Sequence, residues 1–406
     1  MRSSSEVRRS LPAVGAGVSV TIIFVVVLSI PLGVAADLGL TGNELTSWLV
    51  ALYGASGVLS LALVWRYRLP MLLTGNIFVL IFVASLGGRL GWRDLVGASM
   101  VAGAVVLVLG LLGMTDRLAA WLPGPVVFGV LAGAVLPFFV GLFDVFDGQQ
   151  TIVGATVVAF LVGRRLLEPR VPAVLVALVA ALAAAGLTGS LGAFPAEMVW
   201  PAPAAVPPTF SISAILTATP VIIALIAVQA NAPSVVFLRS QGYEPPERML
   251  TVVSGAGTLV ASLFGPMGVS LSLPATALTA GDDAGAHEVR HRAVALASVG
   301  AVVIALLAGL AADLEQFLTR PLLLAIVGLA VVGVFTGALQ QIVSGPLTLG
   351  PVFAFGIAVS DLSMFGLESF FWALVVGLAI SRLVERDAWA AFHAQARGEP
   401  PPGEGR

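Results

Sequence analysis

The chain has 406 residues, 58% of them hydrophobic and only 10% charged, with a mean hydropathy of +1.02. Soluble globular proteins carry about 25% charged residues, so this chain cannot cover a water-facing surface and its main solvent is lipid. Twenty basic residues, all Arg, against 22 acidic ones give a net charge of −2, which excludes the basic stripe of a nucleic-acid binder. The absence of cysteine excludes disulfides, thiol catalysis and Cys-based metal sites, and nothing in the sequence calls for a cofactor.

A helical span needs about 20 apolar residues, fewer where extended backbone interrupts it. Fourteen segments qualify: 11–33, 45–64, 70–86, 95–114, 118–141, 149–163, 171–189, 212–238, 249–264, 266–280, 293–311, 321–339, 346–360 and 369–381. The first starts at Leu11 and has no small-residue cleavage site, so it reads as a retained span and not as a signal peptide. The segments are apolar all round, which excludes the alternating strands of a β-barrel. With the N-terminus inside, strict alternation leaves only Arg89, Arg93 and Arg320 outside and the other Arg residues inside, including Arg117, Arg170, Arg397 and Arg406. That bias fixes the expected orientation, with both termini in the cytoplasm of a bacterial inner membrane. Trp48, Trp65, Trp92, Trp121 and Trp200 fall near span ends and are expected at the lipid interface.

Landmarks recur after about 198 residues. Pro123 and Pro321 open spans 5 and 12, Gly129 and Gly133 answer Gly328 and Gly333, and the interrupted span at Pro70 answers the one at Pro266. Each half holds seven spans, so the halves enter the membrane from opposite sides. The expected fold is an all-α integral membrane protein of about 14 transmembrane segments in two inverted seven-span repeats, with short interrupted spans 3 and 10. This is the pattern of a carrier.

None of the charged residues lies inside a span, so the available chemistry is neutral. Thr74 and Asn76, ahead of Phe78, sit where extended backbone of span 3 leads into a half-helix. Phe264, Met267, Gly268, Ser270 and Ser272 occupy the same place in span 10. Half-helix N-termini expose free N–H groups and a partial positive charge, which suits an anion without a buried Arg. Gln229 and Asn231 place two amides close together in apolar span 8, just before Pro233. Buried amides are costly unless satisfied, so these two are candidate ligand contacts. Asp361 and Glu368, between spans 13 and 14, are expected at the interface.

One motif points to a different class. His287-Glu-Val-Arg-His291 matches the His-Glu-x-x-His pattern of zinc proteases, in which two His share a helix face and the Glu is the general base. It sits in a charged loop with Arg290 and Arg292, and a catalytic zinc needs a third protein ligand. A solvated loop leading into a helix is the expected reading, and an intramembrane metalloprotease is the alternative of another class.

Ser47-Trp48 with Trp65-Arg-Tyr-Arg-Leu-Pro70, Asn231-Ala-Pro233, Leu238-Arg-Ser-Gln-Gly-Tyr-Glu-Pro-Pro246, Phe264-Gly-Pro-Met-Gly268 through Thr279-Ala-Gly281, and Ser369-Phe-Phe-Trp372 with Gly377 follow one another in an order and spacing that resembles the benzoate/proton symporter (BenE-type) family. The resemblance runs over most of residues 11–384. It implies a uracil-permease-like architecture: transport-core segments at 11–114 (spans 1–4) and 211–312 (spans 8–11), gate segments at 117–190 (spans 5–7) and 317–384 (spans 12–14), and a cytoplasmic tail at 385–406. It also implies a substrate between the third and tenth spans, a small aromatic carboxylate taken up with a proton, and a possible homodimer through the gate. Other organic anions or nucleobases are the alternative cargo of the same fold. The sequence departs from the family in the pocket, where Met267 and Ser270 stand at its His and Asn positions.

Overall fold

The computed structural model describes residues 2–40, 42–114, 122–146, 149–167, 173–192, 200–310, 317 and 320–396. Arg117, Trp121, Arg170, Arg397, Arg406 and the first residues of spans 5 and 7 lie outside the described residues, as do the side chains of Arg2, Arg8, Arg9 and Arg320.

Every expected span is a helix or a helix broken in a definite way. Span 1 runs through α1 (Arg2–Val27) and α2 (Ser29–Leu38), broken at Leu28. Span 2 runs through α3 (Gly42–Leu49), a π-helical stretch (Val50–Ala55) and α4 (Ser56–Tyr67). Span 3 is the short extended β1 (Leu73–Gly75) followed by the half-helix α5 (Ile77–Ser85). Spans 4 to 7 are α6 (Trp92–Leu111), α7 (Gly124–Asp144), α8 (Gln150–Leu166) and α9 (Ala173–Leu187). Span 8 runs through α10 (Ile212–Ala224), a second π-helical stretch (Leu225–Asn231) and α11 (Ala232–Ser240), and span 9 is α12 (Glu247–Ala261). Span 10 mirrors span 3, with β2 (Val269–Leu271) before the half-helix α13 (Leu273–Ala280). Span 11 is α14 (His291–Leu306), span 12 is α15 (Arg320–Ala330) with α16 (Val332–Val343), and spans 13 and 14 are α17 (Leu349–Val359) and α18 (Ser369–Leu383). The tail carries a helix, α19 (Arg386–Ala396). Among the described residues, seven helices are long and apolar enough to cross a membrane.

The chain forms two compact units. One comprises residues 1–80, 137–205 and 274–333. Here spans 1 and 2 pack on span 11 through glycines: a Cβ on Gly17 would meet the Ala293 carbonyl at 2.7 Å, and one on Gly57 would meet the Ser298 carbonyl at 2.9 Å. Small residues let helix backbones approach where lipid supplies no hydrophobic drive. Leu142, Val153, Phe160, Ala173, Ala177, Ala325 and Leu329 form an apolar cluster in the same unit.

The other unit comprises residues 81–136, 206–273 and 334–406. Spans 4 and 9 meet backbone to backbone, with Gly103 facing the Leu259 main chain and Gly255 facing that of Leu107. Thr219 Oγ1 donates to the Ala98 carbonyl at 2.8 Å and ties span 8 to span 4. Gly350, Gly377 and Ser381 hold spans 13 and 14 together, and Gly129 and Gly133 of span 5 face Pro351 and Ala358 of span 13.

The repeat is visible in the geometry of each half. Gly57 and Gly255, 198 residues apart, both make a close helix crossing. One turn further on, Ser60 and Thr258 both pin the extended segment of the next span by its backbone N–H: Leu73 N–H donates to Ser60 Oγ at 2.8 Å, and Val269 N–H donates to Thr258 Oγ1 at 2.9 Å. From there the offset is 196, because the connection in the second half is two residues shorter. The two landmarks differ in packing: Gly328 faces Leu142 tightly, whereas a Cβ on Gly333 would meet nothing within 4 Å. Trp65 and Trp200 are well exposed, as an interfacial position needs, whereas Trp48 is fully buried and departs from the expectation. Trp48 lies on the buried face of α3 beside Leu45 and Leu49, so it packs against protein and not against the lipid interface.

Candidate functional site

Span 8 carries the densest polar geometry. Pro233 has no N–H to give the carbonyl four residues back, and its ring would clash there. The helix therefore widens: Ala232 N–H reaches the Ala227 carbonyl, five residues back, and Leu225–Asn231 form a π turn. Such π-bulges concentrate at functional positions. This one carries both Gln229 and Asn231.

The two amides have different surroundings. Asn231 is 5% exposed. Its Oδ1 accepts the backbone N–H of Leu271 at 2.8 Å, and its Nδ2 donates to Ser254 Oγ at 3.1 Å. It thus joins spans 8, 9 and 10. Gln229 is half-buried, and its Oε1 is shielded from solvent and accepts no hydrogen bond among the described residues. A buried acceptor left unmet costs about 1–3 kcal/mol.

In span 10, Met267, Gly268 and Ser270 are buried, whereas Phe264 and Ser272 are half-buried. Ser262 Oγ donates to the Met267 carbonyl at 3.4 Å, and Ser270 Oγ donates to the Leu271 carbonyl at 3.0 Å. The structure therefore brings Asn231 together with the β2 backbone, while Ser270 turns its hydroxyl to the main chain. Ser254 and Thr258 complete this wall and were not singled out from the sequence. A hydroxyl in an apolar helix is too common in membrane proteins to signal a role.

In the other unit, Asn76 is 3% exposed, and its Oδ1 accepts Val79 N–H at 3.1 Å. It is the N-cap of half-helix α5 and satisfies one of the orphan N–H groups there. Thr74 and Phe78 flank it, both half-buried. Ser60 Oγ holds both the N–H and the carbonyl of Leu73, so the extended backbone ahead of α5 is fixed by a side chain.

The His-Glu-x-x-His segment does not form the zinc-protease arrangement. His287–Val289 is a 3₁₀ turn, and the helix begins only at His291, so the two His do not share one α-helical face. Arg290 between them is 7% exposed and donates to the carbonyls of Ala280 at 2.6 Å and Gly285 at 2.8 Å and to Asp282 at 2.8 Å. Its work is to cap the C-terminal end of α13. The metalloprotease alternative is set aside on this geometry.

The family model for the benzoate membrane transport protein matches residues 8–383. The chain belongs to this family. Among curated members of similar sequence, the inner membrane protein YdcO of Escherichia coli is 27% identical over 351 residues, covering 84% of this chain and 87% of the relative. The benzoate membrane transport protein of Acinetobacter baylyi is 24% identical over 338 residues, covering 82% and 84%. Among solved structures, the transmembrane domain of the cyanobacterial bicarbonate transporter BicA aligns with a TM-score of 0.55 at 14% identity, covering 91% of this chain and 95% of that one. Murine Slc26a9, an anion transporter, aligns with a TM-score of 0.61 at 15% identity, covering 93% and 68%. The benzoate transport family and these folds are membrane transporters with inverted repeats, and not enzymes. This chain is a membrane transporter.

Proposed function

We propose that this transporter carries a small aromatic carboxylate, such as benzoate, into the cell by alternating access together with a proton. It would reside in a bacterial inner membrane with both termini cytoplasmic, as the Arg distribution favours. Spans 1–4 and 8–11 form the moving transport core and spans 5–7 and 12–14 the gate. The substrate contacts of one unit are Gln229, Phe264, Met267, Gly268, Ser270 and Ser272, where Asn231 acts by holding the β2 backbone and the apolar Met267 and Phe264 suit an aromatic ring. Thr74, Asn76 and Phe78 are, separately, the corresponding candidates of the other unit. A half-helix N-terminus favours the carboxyl end.

The observation that carries the proton claim is the unmet Oε1 of Gln229. A carboxylate has no proton to offer it, but a carboxylic acid O–H does. This supports a proton that rides on the substrate, with no titratable side chain inside a span required. Reconstituted protein should take up labelled benzoate faster under an inward proton gradient. Across aromatic acids of different acidity, the rate should follow the concentration of the undissociated form. Uptake indifferent to pH removes the coupling, and no uptake of any aromatic acid removes the substrate class.

A further inference from the structure

The linker between spans 13 and 14 is tied down by spans 3 and 8. Arg89, just past half-helix α5, places Nη2 2.6 Å from Asp361 Oδ1 and Nη1 3.9 Å from Glu368 Oε2. The same Nη1 donates to Ser369 Oγ at 3.3 Å. From span 8, Ser213 Oγ donates to the Gly366 carbonyl, and Thr217 Oγ1 accepts Glu368 N–H at 3.5 Å. Below the ion pair, the rings of Phe82 and Phe370 meet edge to face at 5.2 Å. Every one of these contacts joins a span assigned above to the transport core with one assigned to the gate.

The half-helix of the other repeat, α13, has different surroundings. After half-helix α13, Arg290 donates to the carbonyls of Ala280 and Gly285. Phe82 is fully buried, but Leu278, 196 residues on, is 40% exposed.

We propose that Arg89, Asp361, Glu368 and the Phe82–Phe370 pair form an outer clasp that holds the transporter closed to the outside and must open in every cycle. This rests on the core and gate assignment and on the orientation proposed above. When the core moves to expose the substrate outward, spans 3 and 8 separate from spans 13 and 14, so the ion pair and the ring contact break together. Asp361 is 94% exposed and Arg89 32%, so water screens the pair and its contribution is modest. That suits a contact remade at every turnover.

The test uses the cysteine-free chain with one added thiol. Ala373 is fully buried and one turn along α18 from Phe370, so Ala373→Cys reports access past the clasp. In intact cells, a membrane-impermeant maleimide should label it slowly. Adding Asp361→Asn with Glu368→Gln, or Arg89→Gln alone, should raise the labelling rate roughly fivefold, the population shift expected for losing a partly exposed ion pair. The charge swap Arg89→Asp with Asp361→Arg should bring it back towards the parental rate, which a merely misfolded variant would not do. An unchanged rate in both opened variants, or labelling only from the cytoplasmic side in inverted vesicles, overturns the clasp. Labelling needs no substrate, so the outcome stands whether or not benzoate is the cargo.

Discussion

The side-chain oxygen of Asn231 accepts the backbone N–H of Leu271 at 2.8 Å, 40 residues away in sequence. One amide thus fixes where the β2 strand stops and half-helix α13 begins. Its Nδ2 donates to Ser254 and the residue is 5% exposed, so Asn231 acts as a scaffold. Asn231→Ala would leave the Leu271 N–H buried and unmet, at a cost of about 1–3 kcal/mol. The purified variant should melt at lower temperature and lose uptake together, and an unchanged melting temperature would return Asn231 to the ligand-contacting set.

Gln229 should behave in the opposite way. Its Oε1 has no partner to lose among the described residues, so Gln229→Leu removes a desolvated acceptor and fills its place with apolar atoms. Stability should stay level or rise slightly, while KM for the aromatic acid rises about tenfold, the worth of one good hydrogen bond at ~1.4 kcal/mol. Measured side by side, the two neighbours separate a scaffold residue from a substrate contact.

The hydroxyl pins of the two repeats make a paired test. Thr258→Val frees the N–H of Val269, and Ser60→Ala frees both the N–H and the carbonyl of Leu73. Each should lower stability by about 1–3 kcal/mol. Thr258→Ser, which keeps the hydroxyl, should retain most of the parental melting temperature. If Thr258→Val, which keeps the methyl group, melts with the parent while Thr258→Ser falls, the methyl group's packing matters and the hydrogen bond does not.

These contrasts show what the sequence makes legible. Apolar period, the Pro70 and Pro266 interruptions and the spacing of Gly and Pro were enough to place fourteen spans and their inversion, because lipid demands long unbroken backbone pairing and marks every departure from it. Two amides in an apolar helix also stand out by residue type alone. Their opposite roles do not, because these depend on which side chain finds Ser254 and the β2 backbone across two other spans. Ser60 and Thr258 are hidden for the same reason. Arg89 and Asp361 are 272 residues apart: the chain shows two surface charges, and only the fold shows that they meet. Trp48 read as interfacial because it lies near a span end, yet the buried stripe of α3 turns it inward.

Glu385 gives a pH-dependent prediction away from the membrane spans. Its carboxylate accepts the backbone N–H groups of Thr348 and Leu349 at 2.8 Å and of Gly350 at 3.0 Å, which caps the N-terminus of α17. Burial pushes the carboxyl pKa up, but the hydrogen bonds from Gly350, Thr348 and Leu349 together outweigh it and hold the group below its usual 4.5. A carboxyl with a folded pKa below its unfolded value stabilises the fold at pH values above the unfolded pKa, and that contribution disappears as pH falls through the folded value. Glu385→Gln should therefore lower the melting temperature at neutral pH, since an amide supplies one neutral acceptor where the carboxylate met three backbone donors. The gap between variant and parent should stay constant down to about pH 5 and narrow only as pH drops past the ordinary carboxylate range. A gap that persists unchanged at pH 3 would mean that the variant loses packing and not charge.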